Sequence, residues 1–368
     1  MAIAQKKYKI CLVSECLSTG GAERVAALLS NFFDGKGIEV HHVIVLDSVV
    51  YDYSGELLNL GKLKNKSNSV FNKWNRFFVF KNYIQQHHFD YIIDFRVKNN
   101  FYQEWIISKW VYNVPKIYTV RSYILKFYFP KNKWLAQSIH SKAFGIITNT
   151  ETIKEHVQET YNFQKVTTIY NPIDIDFVQQ RSAEHLEVDF EYIICAGRMN
   201  DNVKQFDKLI EAYAKSILPF NKIKLIILGD GKQRKSLEDF ALSFNLTEMI
   251  LFKGHVKNPF KYYKRASFFV LSSQFEGMPN VILESLASGT PVVSFDCLSG
   301  PKEMICNKEN GILVENQNVE KLTEAMNLFI EDEKLYSHCK QNALQSVQKF
   351  SLENIGNQWL DYLKINVS

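Results

Sequence analysis

The sequence predicts an α/β protein of two Rossmann-like, doubly wound domains facing a cleft, and three observations carry that expectation. Short apolar runs rich in β-formers alternate with helix-period segments almost throughout the chain. The alternation breaks once, at Asn171-Pro172, and then restarts. The length, 368 residues, corresponds to about two domains of roughly 100–200 residues each.

The elements follow in order. Residues 8–13 read as a buried strand. Beyond a polar turn with Gly20 and Gly21, Val25, Leu28, Leu29 and Phe32 recur at helical spacing as far as Gly35 and Gly37. Residues 40–46 supply a second strand, and 91–95, 116–120, 145–148 and 166–170 supply more. Thr150 is placed to cap a helix carrying Ile153 and Val157. Residues 174–191 are polar and acidic with little apolar periodicity, and read as a linker. The second series has strands at 192–196, 224–228, 249–252, 267–271, 291–295 and 311–314, with helical segments such as 206–216 and 319–332 between them. In the tail, 352–366, Ile355, Trp359, Leu360 and Leu363 form one stripe of a packing helix. The expected division is 1–173, linker 174–191 and 192–351, with 352–368 packing back on the first domain.

A composition of 46% hydrophobic, 23% charged and 14% aromatic residues excludes a disordered or collagen-like chain. Six cysteines are scattered without a C-x-x-C pair, which points to a reducing compartment and no zinc site. The apolar run Ile10 to Val13 stops at Ser14 and Glu15, short of a signal-peptide core, and no segment approaches the roughly 20 apolar residues of a membrane span. A cytoplasmic protein is expected. Charge is uneven: residues 1–180 hold 22 Lys and Arg against 15 Asp and Glu, the remainder 22 against 24. No acid occurs from Gly61 to His88, where Lys62, Lys64, Lys66, Lys73, Arg76 and Lys81 alternate with Phe71, Trp74, Phe77, Phe78 and Phe80. A solvated amphipathic helix and a peripheral contact with an anionic membrane surface both fit this stretch. Nucleic acid is not expected, since no nucleic-acid module accompanies the basic patch.

In open α/β folds ligands bind outside the carboxyl ends of the strands, so chemistry is sought in the loops that follow them. Gly20 and Gly21 stand between the first strand and first helix, where backbone can approach an anion. Gly197-Arg198 follows the first strand of the second series, with Lys204 six residues on. Two cations there suit a diphosphate, Arg by bidentate contact and Lys as a mobile point charge. Gly229-Asp230-Gly231 ends the strand at 224–228 and can let a flat base lie against backbone. The longest string runs from Glu276 through Gly277, Met278, Pro279, Asn280 and Val281 to Glu284. It presents two carboxylates for sugar hydroxyls beside helix-start amides, with Asn280 placed to cap the helix. His41-His42, His87-His88 and His255 read as structural.

Jointly these residues, with Asn171-Pro172-Ile173-Asp174 and Ser299-Gly300-Pro301 followed by Glu303, resemble the retaining nucleotide-sugar glycosyltransferases of the GT-B fold, in the group containing bacterial polysaccharide and lipopolysaccharide transferases. The resemblance covers nearly the whole chain. It implies a UDP-sugar donor, with Arg198 and Lys204 on the diphosphate, Glu284 on the ribose, and Glu276 with the 277–281 loop on the transferred sugar. Gly20 and Gly21 would face the phosphates from the other domain. Many relatives carry a His after a middle strand of the first domain; here the segment is Thr119-Val120-Arg121-Ser122-Tyr123, which makes Arg121 an acceptor or sugar contact. The implied reaction is front-face hexosyl transfer to a lipid-linked or polymeric saccharide, with no metal and no cofactor. A UDP-sugar epimerase of the same fold and a catalytically silent nucleotide-binding subunit are the alternatives.

Overall fold

The computed structural model describes residues 7–18, 20–65, 69–98 and 100–367. Thr19 of the first glycine loop and Lys66 of the basic stretch therefore lie outside the described residues. The chain divides into two compact units, Met1–Pro172 with Leu352–Ser368, and Ile173–Ser351.

The first unit holds β1 (Lys9–Ser14), β2 (Glu39–Ile44), β3 (Glu56–Asn59), β4 (Tyr91–Asp94), β5 (Lys116–Val120), β6 (Gly145–Thr148) and β7 (Val166–Thr168). They form one parallel sheet in the order β3-β2-β1-β4-β5-β6-β7, which puts the reversal of strand order between β1 and β4. Alternate residues of the buried strands serve opposite layers. Ile10, Leu12, Val40 and Ile93 pack against Val25, Leu29 and Phe33 of the helix Gly21–Gly35 and against Ile355, Trp359 and Leu363 of the helix Leu352–Leu363. Cys11, Val13, Val43 and Ile92 face the other way, onto Phe80 and Ile84 of the helix Val70–His87. Thr150 caps the helix Glu151–Tyr161, its side chain accepting from the Ile153 amide at 3.2 Å. The edge strand β3 was not expected: it is four residues long with no fully buried side chain, too brief for a periodic signal.

The second unit holds β8 (Tyr192–Ala196), β9 (Lys224–Leu228), β10 (Ile250–Gly254), β11 (Phe269–Leu271), β12 (Val292–Phe295) and β13 (Gly311–Val314). Its parallel sheet runs β10-β9-β8-β11-β12-β13, with the reversal between β8 and β11. Leu209 and Tyr213 of the helix Phe206–Lys215, with Leu322, Met326 and Phe329 of the helix Val319–Glu331, cover Ile193, Leu225, Ile227, Val270 and Val293.

The expected linker at 174–191 needs correction. Residues Ile175–Ser182 form a helix belonging to the second unit, capped by the Asp174 side chain, which accepts from the Phe177 amide at 3.0 Å. Gln179 donates to the Ala287 carbonyl and Phe177 meets Phe260 edge-on. Val178 is its one buried apolar residue, so eight residues gave no visible stripe. Among the described residues, no helix is long and apolar enough to cross a membrane.

Candidate functional site

In the second unit both loops at the strand-order reversal carry charge. After β8 come Gly197, Arg198 and Lys204; after β11 comes Glu276. Lys204 Nζ lies 2.6 Å from Glu276 Oε1, and both side chains are mostly shielded from solvent. Backbone fixes this pairing: the Gln274 amide donates to the Val203 carbonyl and Ser272 Oγ to the Lys204 carbonyl, each at 2.8 Å. Gly197 lies under the aliphatic stem of Lys204, where a Cβ would stand 3.1–3.2 Å from three of its carbons. Arg198 is exposed and has no hydrogen-bond or ion-pair partner among the described residues.

The loop after β9 closes on the same place. Gly229 has φ +117°, and a Cβ there would overlap the Gly197 carbonyl oxygen, so only glycine lets the two loops touch. Gly231 runs against Met199, whose amide donates to the Asp230 carbonyl at 3.0 Å. Asp230 itself turns to its own loop: the Gly231 amide and Arg234 bind its carboxylate and hold it below its ordinary pKa.

The loop 277–279 is buried and anchored by Ser299 Oγ, which donates to the Gly277 carbonyl at 3.0 Å. The helix Asn280–Ala287 starts one residue earlier than a capping Asn280 requires. Pro279 holds the cap position at φ −72°, as its ring dictates, and no side chain caps the helix. Glu284 is buried in the second turn beside Leu283 and Ser285. Burial and the nearby Glu276 carboxylate push the Cys297 thiol up to about 12, leaving it inert. The structure thus brings Gly197, Lys204, Gly229 and Glu276 together, with Arg198 exposed beside Gly197. Paired cations, carboxylates and backbone amides of this kind bind an anion and hydroxyl groups.

Gly20, Gly21 and Arg121 stand in the first unit. Gly20 has φ +118° directly before the helix Gly21–Gly35, and a Cβ on it would overlap Glu23 Oε2. Arg121 follows β5. Its guanidinium lies 4.7 Å over the Phe95 ring and donates to Asn171 Oδ1 at 2.6 Å, which joins it to the Asn171-Pro172 segment. Burial pushes its pKa down to about 10, against Tyr128 and Glu23, so it stays cationic at neutral pH.

Sequence reasoning missed a buried charge network beside the reversal between β1 and β4. Arg96 donates to Asp94 Oδ2 at 2.8 Å and to Glu104 Oε2 at 3.1 Å. Lys98 Nζ lies 3.3 Å from Asp94, and Tyr112 donates to Asp94 at 3.0 Å. Burial would raise the Asp94 pKa, but Arg96 and Lys98 hold it well below the carboxylate range. Glu15, just past β1, is raised by its burial, with Arg96 opposing. The signal available was Asp94-Phe95-Arg96-Val97-Lys98 directly after an apolar strand.

Residues 176–346 match the family described as Glycosyl transferases group 1, and residues 19–177 match Glycosyltransferase Family 4. A curated relative from Campylobacter jejuni, N-acetylgalactosamine-N,N'-diacetylbacillosaminyl-diphospho-undecaprenol 4-alpha-N-acetylgalactosaminyltransferase, is 32% identical over 234 residues, 63% of either chain. The matches span 60 to 63% of the length of this and the next two curated relatives. A crystal structure of a glycosyltransferase from Rickettsia africae superimposes with a TM-score of 0.78 at 18% identity, over 97% of this chain and 98% of that one. A mutant of S. aureus TarM, solved with Fondaparinux, alpha-GlcNAc-glycerol and UDP, gives 0.78 at 16%, over 97% and 99%. These two likenesses establish the GT-B fold.

Proposed function

The chain belongs to the group 1 glycosyltransferases, and from that premise we propose that it moves a hexosyl or N-acetylhexosaminyl group from a UDP-sugar to a lipid-linked or polymeric saccharide, with retention of configuration. The observation that carries the reading is the Lys204–Glu276 pair, which joins the two loops at the strand-order reversal of the second unit and leaves Arg198 free beside it. Arg198 and Lys204 hold the diphosphate and take up its growing charge as it departs. Glu276 and the 277–281 loop hold the sugar, Glu284 the ribose, and Gly229 to Gly231 the base. Gly20, Gly21 and Arg121 serve from the first unit, Arg121 on the acceptor or sugar. The acceptor hydroxyl attacks the anomeric carbon on the face the diphosphate leaves. The bond to UDP breaks, the new C–O bond forms, and the hydroxyl proton passes to a phosphate oxygen. In this scheme the two cations do what a divalent ion does elsewhere, so neither metal nor cofactor is invoked.

The acceptor side is the first unit. Phe71 and Trp134 are 88% and 74% exposed, and Trp74, Phe78, Tyr102 and Trp110 are exposed as well. Lys64, Lys73, Lys131 and Lys133 of the same unit are exposed too, with Lys73 next to Trp74 and Lys133 next to Trp134 in sequence. Between the helices Val70–His87 and Phe101–Ile106 lies a cavity of about 510 Å³ lined by Leu60, Trp74, Phe77 and Phe80, with Lys73 and Arg96 at its wall. Aromatic rings beside ammonium groups suit an anionic membrane surface, where a lipid-linked acceptor resides. The test is turnover with UDP-hexoses and a polyprenyl-diphosphate-linked saccharide in the presence of EDTA. Acceptor-dependent UDP release with retained anomeric configuration is expected. Donor isomerisation without acceptor would make the protein an epimerase, and nucleotide binding without turnover would make it a silent subunit.

A further inference from the structure

We propose that the outer edge of the first unit carries a zinc-type metal site formed by His41, Glu56 and His87, none of which the proposed transfer uses. Sequence alone read both histidines as structural, and the cysteine spacing argued against zinc. Three elements converge instead. His41 lies on β2 and Glu56 is its direct partner on the edge strand β3, so the sheet register places them side by side. His87 ends the helix Val70–His87, one turn beyond Tyr83 on the same face. The ligand atoms of all three lie within 4.8 Å of one another.

The site is prepared as well as assembled. His41 is fully buried, and its Nε2 lies 3.0 Å from Glu39 Oε1, a carboxylate itself held by Lys9 at 2.6 Å. A carboxylate on one ring nitrogen fixes the proton there and leaves the other as a lone pair, the usual support of a metal-bound histidine. That second nitrogen, Nδ1, lies 3.6 Å from Glu56 Oε2 and accepts from the Tyr83 hydroxyl at 2.6 Å. The His41 and His87 rings are 4.6 Å apart. Two imidazoles and one carboxylate form a donor set for zinc, with a fourth position for water. Ligand distances of about 2.1 Å put tetrahedral donors about 3.4 Å apart. The Glu56 side chain, 69% exposed, can swing in to reach that spacing, and Tyr83 yields its hydrogen bond. A metal there would tie the edge strand to the end of the basic aromatic helix.

The experiment is zinc titration of the chelator-stripped full chain by competition with a chromophoric chelator, with Co2+ absorption as a second readout. His87→Ala and Glu56→Ala are compared with His338→Ala, which removes a surface histidine 2.8 Å from Glu309 in the second unit. The expected result is one equivalent bound, at least tenfold weaker in the first two variants and unchanged in the third, with tetrahedral Co2+ bands lost on replacing His87. Glu56 is exposed and His87 half-buried, so melting of the metal-free variants near wild type confirms folding. No stoichiometric binding, or binding that His87→Ala and Glu56→Ala leave unchanged, would overturn the proposal.

Discussion

The two units share one strand order around their reversal points but differ in what they bury. Among the described residues, the buried set of the second unit contains one charged side chain, Glu284. The first unit buries His41, His42, Asp94, Arg96, Lys98, Glu104, Lys116 and His140. The same scaffold has thus been built once with an interior whose buried polar groups are almost all neutral, such as Ser272, Ser285, Thr290 and Asn310, and once with ionic groups placed inside. The difference teaches that a shared architecture does not fix where electrostatic cost is carried. The second unit should be insensitive to pH and to charge removal, the first sensitive to both.

The largest test removes a buried partner. Asp94→Asn leaves Arg96 and Lys98 without their shared carboxylate and should destabilise the first unit by about 3–5 kcal/mol, the usual cost of breaking a buried pair. Glu284→Gln in the second unit should cost far less stability while weakening nucleotide binding. Denaturant titration of both variants decides it: equal losses would erase the contrast between the units.

Acid sharpens the comparison further. Burial lowers His42 to about 4, and lowers His140, set among the rings of Tyr118, Phe129 and Phe163, to about 3. Both folded values lie below the unfolded value near 6.5, so the unfolded chain takes up protons first as pH falls. Stability is full above about pH 6.5 and declines toward pH 4, by about 1.4 kcal/mol per pH unit for each histidine. Amide exchange, corrected for its intrinsic pH dependence, should therefore speed up in β1 to β6 between pH 7 and 5 and hold steady in β8 to β13. Matching acceleration in both sheets would contradict this.

The smallest effect on stability belongs to the exposed rings. Phe71→Ser should leave the melting temperature within error, because the side chain is 88% exposed. It should weaken binding to vesicles containing anionic lipid several-fold. A changed melt with unchanged vesicle binding would reassign the residue to packing.

Legibility in the sequence followed the same divide. The string from Glu276 to Glu284, and Gly197 with Arg198 and Lys204, lie close together in sequence and are punctuated by glycine and proline, so their place after strands was readable. What could not be read was that Lys204 closes on Glu276 across 72 residues, or that Pro279 takes the cap from Asn280. In the first unit Asp94, Arg96 and Lys98 alternate with Phe95 and Val97 like a solvated strand end. Only the fold brings Glu104 and Tyr112 back over them. The zinc ligands are more scattered still, drawn from two strands and a helix end. The strands of the central sheets were legible because parallel strands buried on both faces are continuous apolar runs; β3 and the helix Ile175–Ser182 were not, because each buries almost nothing apolar.

The most direct measurement is calorimetric titration of the protein with UDP, GDP and ADP, repeated with Arg198→Ala and Glu284→Ala. Selective UDP binding, weakened about 10- to 100-fold by each substitution, as loss of a charged hydrogen bond of about 1.5–3 kcal/mol requires, is the expected result. Absence of nucleotide binding, or UDP affinity that neither substitution changes, would contradict a donor site in the second unit.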